Sequence, residues 1–307
     1  MRIFNSIQGY QSDSRPVATV GVFDGVHRGH MEIIRHLVSS ARELNTTSVV
    51  ITFEPHPRLV LDLSQSVKLL QTLDEKLRRF EMAGVDDVVV ISFDKHFAAT
   101  DPKQFIQSVL FDTLKVGKII TGHDHMFGRN REGDYAMLLE MGMNNGVEVE
   151  QVKAVSHCGT DVSSTSIRKA IMAGNVRLAN CMLGYPYSFS GPVYRGNQIG
   201  RLINFPTANI NPSAPYKIVP SQGVYASLVE WNGKIFKGMS NIGMRPTLNA
   251  DHETIEVNIF DFDYDIYFEN IRLSFVERIR DERRFGGLEQ LQQQLILDRE
   301  EALRLLA

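Results

Sequence analysis

Between Val17 and Val152 short β-rich runs alternate with longer helical patterns, and this alternation limits the fold more than any other feature. The β-rich runs are Val17 to Gly21, Ser48 to Phe53, Val88 to Ser92, Lys118 to Thr121 and Val147 to Val152. Between them lie helical patterns such as His30 to Leu44, Asp74 to Ala83 and Pro102 to Leu114. Parallel strands need a long crossover, so a strand-helix-strand rhythm predicts a mostly parallel sheet with helices on both faces. Such sheets bind ligands beyond the carboxyl ends of their strands. Residues 163 to 183 add two short helical segments, the first opened by a Ser-Ser-Thr cluster suited to capping.

After about Tyr185 the texture changes. The stretch GYPYSFSGPVYRGN is rich in Gly, Pro and Ser, and the strand-like runs beyond it follow one another without helices. GVYASLVEW and KIFKGMSN, joined by Asn232-Gly233, form the strongest hairpin signal in the chain. IEVNIF and IRLSFVERI extend the β pattern, which predicts a small barrel or sandwich, and a helix from Leu288 to Leu306 closes the chain. The expected class is α/β followed by β, with domains at 1–184 and 185–307. A length of 307 residues accommodates both.

Composition removes several function classes. The chain is 43% hydrophobic and 22% charged, and holds no apolar run near the roughly 18 residues of a membrane span. Its first residues, MRIFNSIQGYQSDSR, lack the apolar centre of a secretory signal, and two cysteines, Cys158 and Cys181, make no disulfide framework. A cytoplasmic protein without membrane attachment is expected. A net charge of −3 argues against general nucleic-acid binding, which needs a surplus of Lys and Arg. Any phosphate is then held by local geometry.

The stretch GVFDGVHRGH, residues 21 to 30, supplies such geometry. It sits between a strand and a helix start, where unsatisfied N–H groups and the helix dipole favour an anion. Gly21, Gly25 and Gly29 let backbone approach a nucleotide, and His27 and His30 lie one helical turn apart. The stretch is no P-loop, because the Gly-Lys-Ser/Thr ending is absent. Two histidines alone also make a poor zinc site.

Taken with three further segments, GxFDGxHxGH resembles the HxGH nucleotidyltransferase signature of bacterial bifunctional riboflavin kinase/FMN adenylyltransferases, also called FAD synthetases. Thr52-Phe53-Glu54-Pro55-His56-Pro57 is similar to the family's TFEPHP flavin-side loop. Thr121 to Gly128 is similar to its G-x-[DN]-F-x-F-G segment, and Ser163 to Arg168 to its SSTxIR motif. In the C-terminal half, Pro206-Thr207-Ala208-Asn209 resembles the PTAN motif of riboflavin kinases. Asn241 to Thr247 resembles NIGxRPT, and Arg280 to Phe285 resembles RxExKF. The matches run in order through nearly the whole chain.

The resemblance implies a Rossmann-like HxGH nucleotidyltransferase domain followed by a small riboflavin-kinase β-barrel with a C-terminal helix. Riboflavin and ATP would give FMN and ADP in the second domain, and FMN and ATP would give FAD and pyrophosphate in the first. Flavins are then substrates and products, and Mg²⁺ accompanies ATP. Adenylyl transfer is an in-line attack by the FMN phosphate that needs no enzyme nucleophile, so positioning and charge stabilisation carry it. His27, His30 and Arg168 are the expected catalytic groups of that step. Gly21, Phe23, Asp24, Gly25 and Gly29, with Ser163, Ser164 and Thr165, are expected at ATP. Guanidinium forks, hydroxyls and a helix start all match phosphate oxygens. Pro55, His56, Pro57 and Asp124 are expected at the flavin, with His125 in place of a usual aromatic.

Phosphorylation of the riboflavin hydroxyl asks for a cation, a base and an electrostatic cradle. Thr207 and Asn209 present neutral oxygens on one side of an extended segment and are the expected Mg²⁺ ligands. Glu256 alternates with Ile255 and Val257, faces away from them on a strand, and is the expected base. Gly200 and Arg201 are expected at ATP, and Arg280 and Glu282 at the flavin. One departure stands out: the family usually reads GFPTAN, whereas this chain has Asn204-Phe205-Pro206-Thr207-Ala208-Asn209. If the replaced glycine has φ > 0, Asn is its least costly substitute. If glycine makes room for ATP, Asn204 obstructs. A kinase weakened at this position, or a flavin carrier without turnover, are the alternative readings.

Overall fold

The computed structural model describes residues 1–12, 14–61, 67–123, 126–129, 132–196, 200, 203–246 and 251–307. The chain divides into two compact units, Met1–Ser163 and Ser164–Ala307.

In the first unit, six parallel strands form one sheet in the order β1-β4-β3-β2-β5-β6. They are β1 (Arg2–Phe4), β2 (Val17–Val20), β3 (Ser48–Glu54), β4 (Asp87–Ser92), β5 (Lys118–Gly122) and β6 (Glu148–Val152). Both faces are buried, as the near-continuous apolar runs require. Alternation along β3 shows this: Val49 and Ile51 join one core with Phe105 and Leu110, while Val50 joins the other with Ile34, Leu37 and Phe80. The strand order reverses beside β2, with β3 on one side and β5 on the other. The chain leaving β2 therefore opens into the crevice where doubly wound sheets receive ligands.

The helices are α1 (Arg28–Glu43), α2 (Pro57–Leu61), α3 (Leu73–Met82), α4 (Lys95–Ala98), α5 (Pro102–Phe105) and α6 (Tyr135–Asn145). Thr72 and Glu75 start α3 with a reciprocal capping box. The expected helix from Pro102 to Leu114 instead continues from α5 as a π-helix, Ile106–Thr113. Strand β1 was not anticipated from the sequence, because three residues carry no periodic signal. Its Arg2 makes a two-point ion pair with the fully buried Asp87, Nε to Oδ1 and Nη2 to Oδ2, each at 2.7 Å. The Asp87 carboxylate is buried while the Arg2 side chain is largely exposed, so the pair ties this short edge strand to β4 from the solvent side. A two-stranded hairpin, β7 (Ser156–His157) with β8 (Thr160–Asp161), completes the unit. Neither Cys158 nor Cys181 is a free thiol.

The second unit opens with α7 (Ser164–Met172) and α8 (Val176–Leu183). Its centre is a closed antiparallel barrel in the order β10-β13-β12-β11-β14-β9. The strands are β9 (Tyr187–Tyr194), β10 (Ala208–Ile210), β11 (Gly223–Trp231), β12 (Lys234–Pro246), β13 (Asp251–Ile259) and β14 (Asn270–Arg280). Asn232 and Gly233 turn β11 into β12 with φ of 47° and 73°, the paired left-handed geometry that an Asn-Gly hairpin requires. The last helix, α9 (Leu288–Leu305), contributes Ala302 to a core with Ile203, Phe205, Ala226, Met239 and Phe260. Helix α8 packs on β9 and β14, and Asn180 receives the Tyr187 N–H at 2.7 Å while donating to the Phe275 carbonyl at 2.8 Å. Compactness thus joins α7 and α8 to the barrel, ahead of the change in composition at Tyr185.

Candidate active sites

In the first unit the expected residues gather on the loop between β2 and α1. His27 is the N-cap of α1, and its Nδ1 accepts the backbone N–H of His30 at 3.3 Å. That bond leaves the proton of the neutral ring on Nε2, so this histidine presents a donor edge. The two imidazoles stack, with centroids 3.6 Å apart and planes at 17°. A Cβ on Gly29 would lie 3.3 Å from the His27 ring, so only a residue without one lets the ring rest there unforced. His30 is held well below the ordinary imidazole range, first by burial and then by His27 and Lys76. It is neutral at physiological pH, and its Nδ1 has no hydrogen-bond partner among the described residues.

Around the histidines the loop is strained. Phe23 and Val26 have φ of 52° and 31°, and Gly25 has 90°. Positive φ is a true outlier for a β-branched residue such as Val26. The Phe23 ring meets His30 edge-on at 5.2 Å and Phe80 of α3 at 5.6 Å, and it lies against Gly21. Asp24 is buried, and its carboxylate accepts the backbone N–H groups of Leu70 (3.0 and 3.2 Å) and Gln71 (3.2 Å). Its visible work is to tie the loop to the segment leading into α3.

The segment expected at the flavin follows β3. Pro55 comes after a cis bond to Glu54, and Pro57 opens α2. His56 is buried and accepts the Arg58 N–H at 3.0 Å. Asp124 and His125 lie outside the described residues. Ser163 immediately precedes α7, Ser164 and Thr165 form its first positions, and Arg168 follows in its second turn.

The barrel forms a second cluster. Antiparallel register sets Asn209 of β10 opposite Glu256 of β13, which is opposite Asn241 of β12. Thr207 Oγ1 donates to Glu256 Oε2 at 3.2 Å. Asn209 is buried, and its amide occupies the space that a Cβ on Gly196 would fill. Asn258, two residues beyond Glu256, donates to the Pro206 carbonyl at 2.7 Å and fixes the turn before Thr207. Sequence reading missed this residue, since an Asn in a strand carries no signal of a cross-strand bond.

The Gly200 carbonyl accepts the N–H groups of Ile203 (3.2 Å) and Phe205 (2.8 Å), and a Cβ on Gly200 would collide with the Phe205 carbonyl. Arg201 lies outside the described residues. Asn204, at the turn so formed, has φ of 61° and an exposed side chain. The left-handed alternative is the one the backbone adopts. Asn204→Gly is therefore expected to keep or raise the FMN formation that the PTAN resemblance implies. Asn204→Val must place a β-branched residue in a region disfavoured by about 1–2 kcal/mol and is expected to lower it. Parallel kinase assays of the three forms check this, and equal rates would mean that the turn does not limit the kinase.

Arg280 closes β14 and is committed to the protein: Nε and Nη2 grip the buried Asp298 of α9 at 2.8 and 2.6 Å, and Gln294 supports the same carboxylate at 2.7 Å. Its flavin role in the sequence reading is thus joined by a structural one. Glu282 is exposed and lies against Gly243 of β12, where a Cβ would strike its carboxylate.

Comparison with known proteins adds the remaining evidence. A family model described as FAD synthetase matches residues 10–166, and one described as riboflavin kinase matches residues 183–306. The bifunctional riboflavin kinase/FMN adenylyltransferase of Escherichia coli K12 is 37% identical over 283 residues, covering 92% of this chain and 90% of that protein. The protein of that name from Bacillus subtilis 168 is 36% identical over 298 residues, covering 96% and 93%. A solved structure described as a macrolide-efflux protein from Streptococcus pneumoniae matches with a TM-score of 0.87 and 31% identity, covering 97% of each chain. In this chain no helix among the described residues is long and apolar enough to cross a membrane. Two family models in order, an α/β sheet followed by a closed barrel, and full-length relatives agree: this chain belongs to the bifunctional riboflavin kinase/FMN adenylyltransferase family and both phosphorylates riboflavin and adenylylates FMN.

Proposed function

We propose that residues 1–184 carry adenylyl transfer and residues 185–307 carry riboflavin phosphorylation, each through the side chains gathered above. The stacked pair His27 and His30 at the head of α1 is the observation that carries the reading. Neutral imidazole donors beside helix N–H groups suit the α-phosphate oxygens of ATP, on which charge is redistributed as pyrophosphate leaves. Arg168, Ser163, Ser164 and Thr165 serve the remaining phosphates. Pro55, His56, Pro57 and Asp124 serve the flavin.

In the barrel Glu256 takes the proton of the riboflavin 5′-hydroxyl as that oxygen attacks the γ-phosphorus of ATP, and ADP departs. Thr207 and Asn209 hold Mg²⁺, Gly200 and Arg201 adjoin ATP, and Arg280 and Glu282 border the flavin. The hydroxyl of Thr207 gives its proton to Glu256, which leaves its lone pairs for a cation. Two neutral oxygens fit an ion whose other ligands are phosphate oxygens and water. When bound with ATP, Mg²⁺ supplies charge neutralisation at the phosphates. The cytoplasm, where ATP is available, is the compartment this chemistry implies.

The test is incubation with riboflavin, ATP and Mg²⁺, with FMN and FAD followed separately by chromatography. FMN is expected to rise first and FAD after it, and a chelator added at the start should stop both. Riboflavin consumption that persists in chelator contradicts the assignment of Thr207 and Asn209.

A further inference from the structure

Lys76 is a buried ammonium that the roles above leave unused. It lies in α3 and is only 4% exposed. Among the described residues its hydrogen-bond partner is the Thr52 hydroxyl at 3.3 Å, one neutral acceptor for a group with three N–H donors. Thr52 passes the connection on, donating to the Val22 carbonyl at 3.3 Å. A chain of bonds thus runs from α3 through β3 to the loop that carries Phe23, Gly25 and Val26 in positive φ. Such strain persists only where surrounding structure over-determines it. Asp24 ties the loop to Leu70 and Gln71 just before α3, and Lys76 of α3 reaches it through Thr52.

Charge adds a second observation. Burial lowers the affinity of Lys76 for its proton, and Asp24 and then Glu54 oppose this less strongly. Half-buried Glu54 is itself raised, by burial first and with Asp74 adding to it, while Lys76 pulls it down. Lys76 also acts electrostatically on His30, whose stacked neighbour is His27. Its charge thus faces the Asp24 and Glu54 carboxylates and a single neutral hydrogen-bond acceptor, Thr52.

We infer that Lys76 is a positioning residue for adenylyl transfer: through Thr52 it holds the glycine-rich loop in its strained form, and its positive charge acts on His30 of the stacked pair that receives the phosphates. The inference rests on the reading of His27 and His30 as phosphate donors.

The full-length protein is compared with its Lys76→Met and Lys76→Arg variants. One reading is kcat and KM for FAD formation from FMN; the other is the titration of His30, followed by NMR of labelled histidine and assigned by loss of its signal in His30→Asn. In Lys76→Met, kcat is expected to fall about tenfold or more, as for loss of a preorganised charge, with a smaller change in the KM for ATP. His30 should titrate at higher pH once the neighbouring cation is gone, and riboflavin phosphorylation should be unchanged. Lys76→Arg should recover most of the rate. An unmoved His30 titration, or a kcat within about twofold of the parent, overturns the inference, since a preorganised donor is worth more than that. Should Lys76→Met fail to fold, Lys76→Gln takes its place with the same two expectations. Unaltered FAD formation in His27→Ala and His30→Ala would remove the underlying reading. Their inactivity beside a normal Lys76→Met would remove this inference alone.

Discussion

Glu256→Gln is expected to lower FMN formation from riboflavin by about 10²–10⁴-fold, the usual worth of a positioned general base. The amide keeps the size of the side chain and can still accept the Thr207 hydroxyl, now 3.2 Å from the carboxylate, so the barrel should remain folded. What disappears is the group that accepts the hydroxyl proton. Adenylyl transfer uses a phosphate nucleophile already made and asks no proton transfer of Glu256, so the variant should still convert supplied FMN into FAD. Chromatography therefore expects no FAD from riboflavin and ordinary FAD from FMN. Normal phosphorylation would reduce Glu256 to a strand-face residue. Loss of both activities in a protein folded by circular dichroism would mean that the two reactions depend on each other.

The mirror-image result is expected for the histidines. His27→Ala and His30→Ala should each lower FAD formation by about 10²–10³-fold, the effect of removing one preorganised transition-state donor, while riboflavin phosphorylation hardly changes. His27 also caps α1, so its loss has a structural component. Loss of a side-chain cap costs about 0.5–2 kcal/mol. His27→Asn separates the two roles, because an amide oxygen can cap the helix without supplying an imidazole. If Asn restores thermal stability and not FAD formation, the ring itself is required. FAD synthesis near normal in all three variants would remove the pair from the mechanism.

Much of this protein is legible in its amino-acid order, and the reason is local. Strand and helix periodicity, the Asn232-Gly233 turn and the Gly-rich passage at residue 21 are properties of neighbouring residues. They anticipated a parallel sheet, then a barrel, then a terminal helix. The resemblance of seven short segments to one family carried the chemistry.

Other features depend on residues far apart in sequence. Nothing local marks Arg2 as the partner of Asp87, because that pair exists only once β1 lies beside β4. Arg280 reads only as a flavin contact in the sequence, and its pairing with Asp298 arises once α9 brings that carboxylate to it. Asn204 allowed two meanings, and the choice came from hydrogen bonds of Gly200 with Ile203 and Phe205 that set its φ to 61°. Lys76 looks like any surface lysine of an amphipathic helix, in the run LDEKLRRFEM. Only packing of α3 against β3 and the loop after β2 buries it. Sequence by itself determined the main sheet, barrel and terminal-helix elements and which reactions they serve, because backbone preference and side-chain chemistry travel with each residue. Tertiary structure alone decided which charges are buried, which are paired and which backbone is strained, because burial and electrostatics depend on neighbours that only the fold assembles.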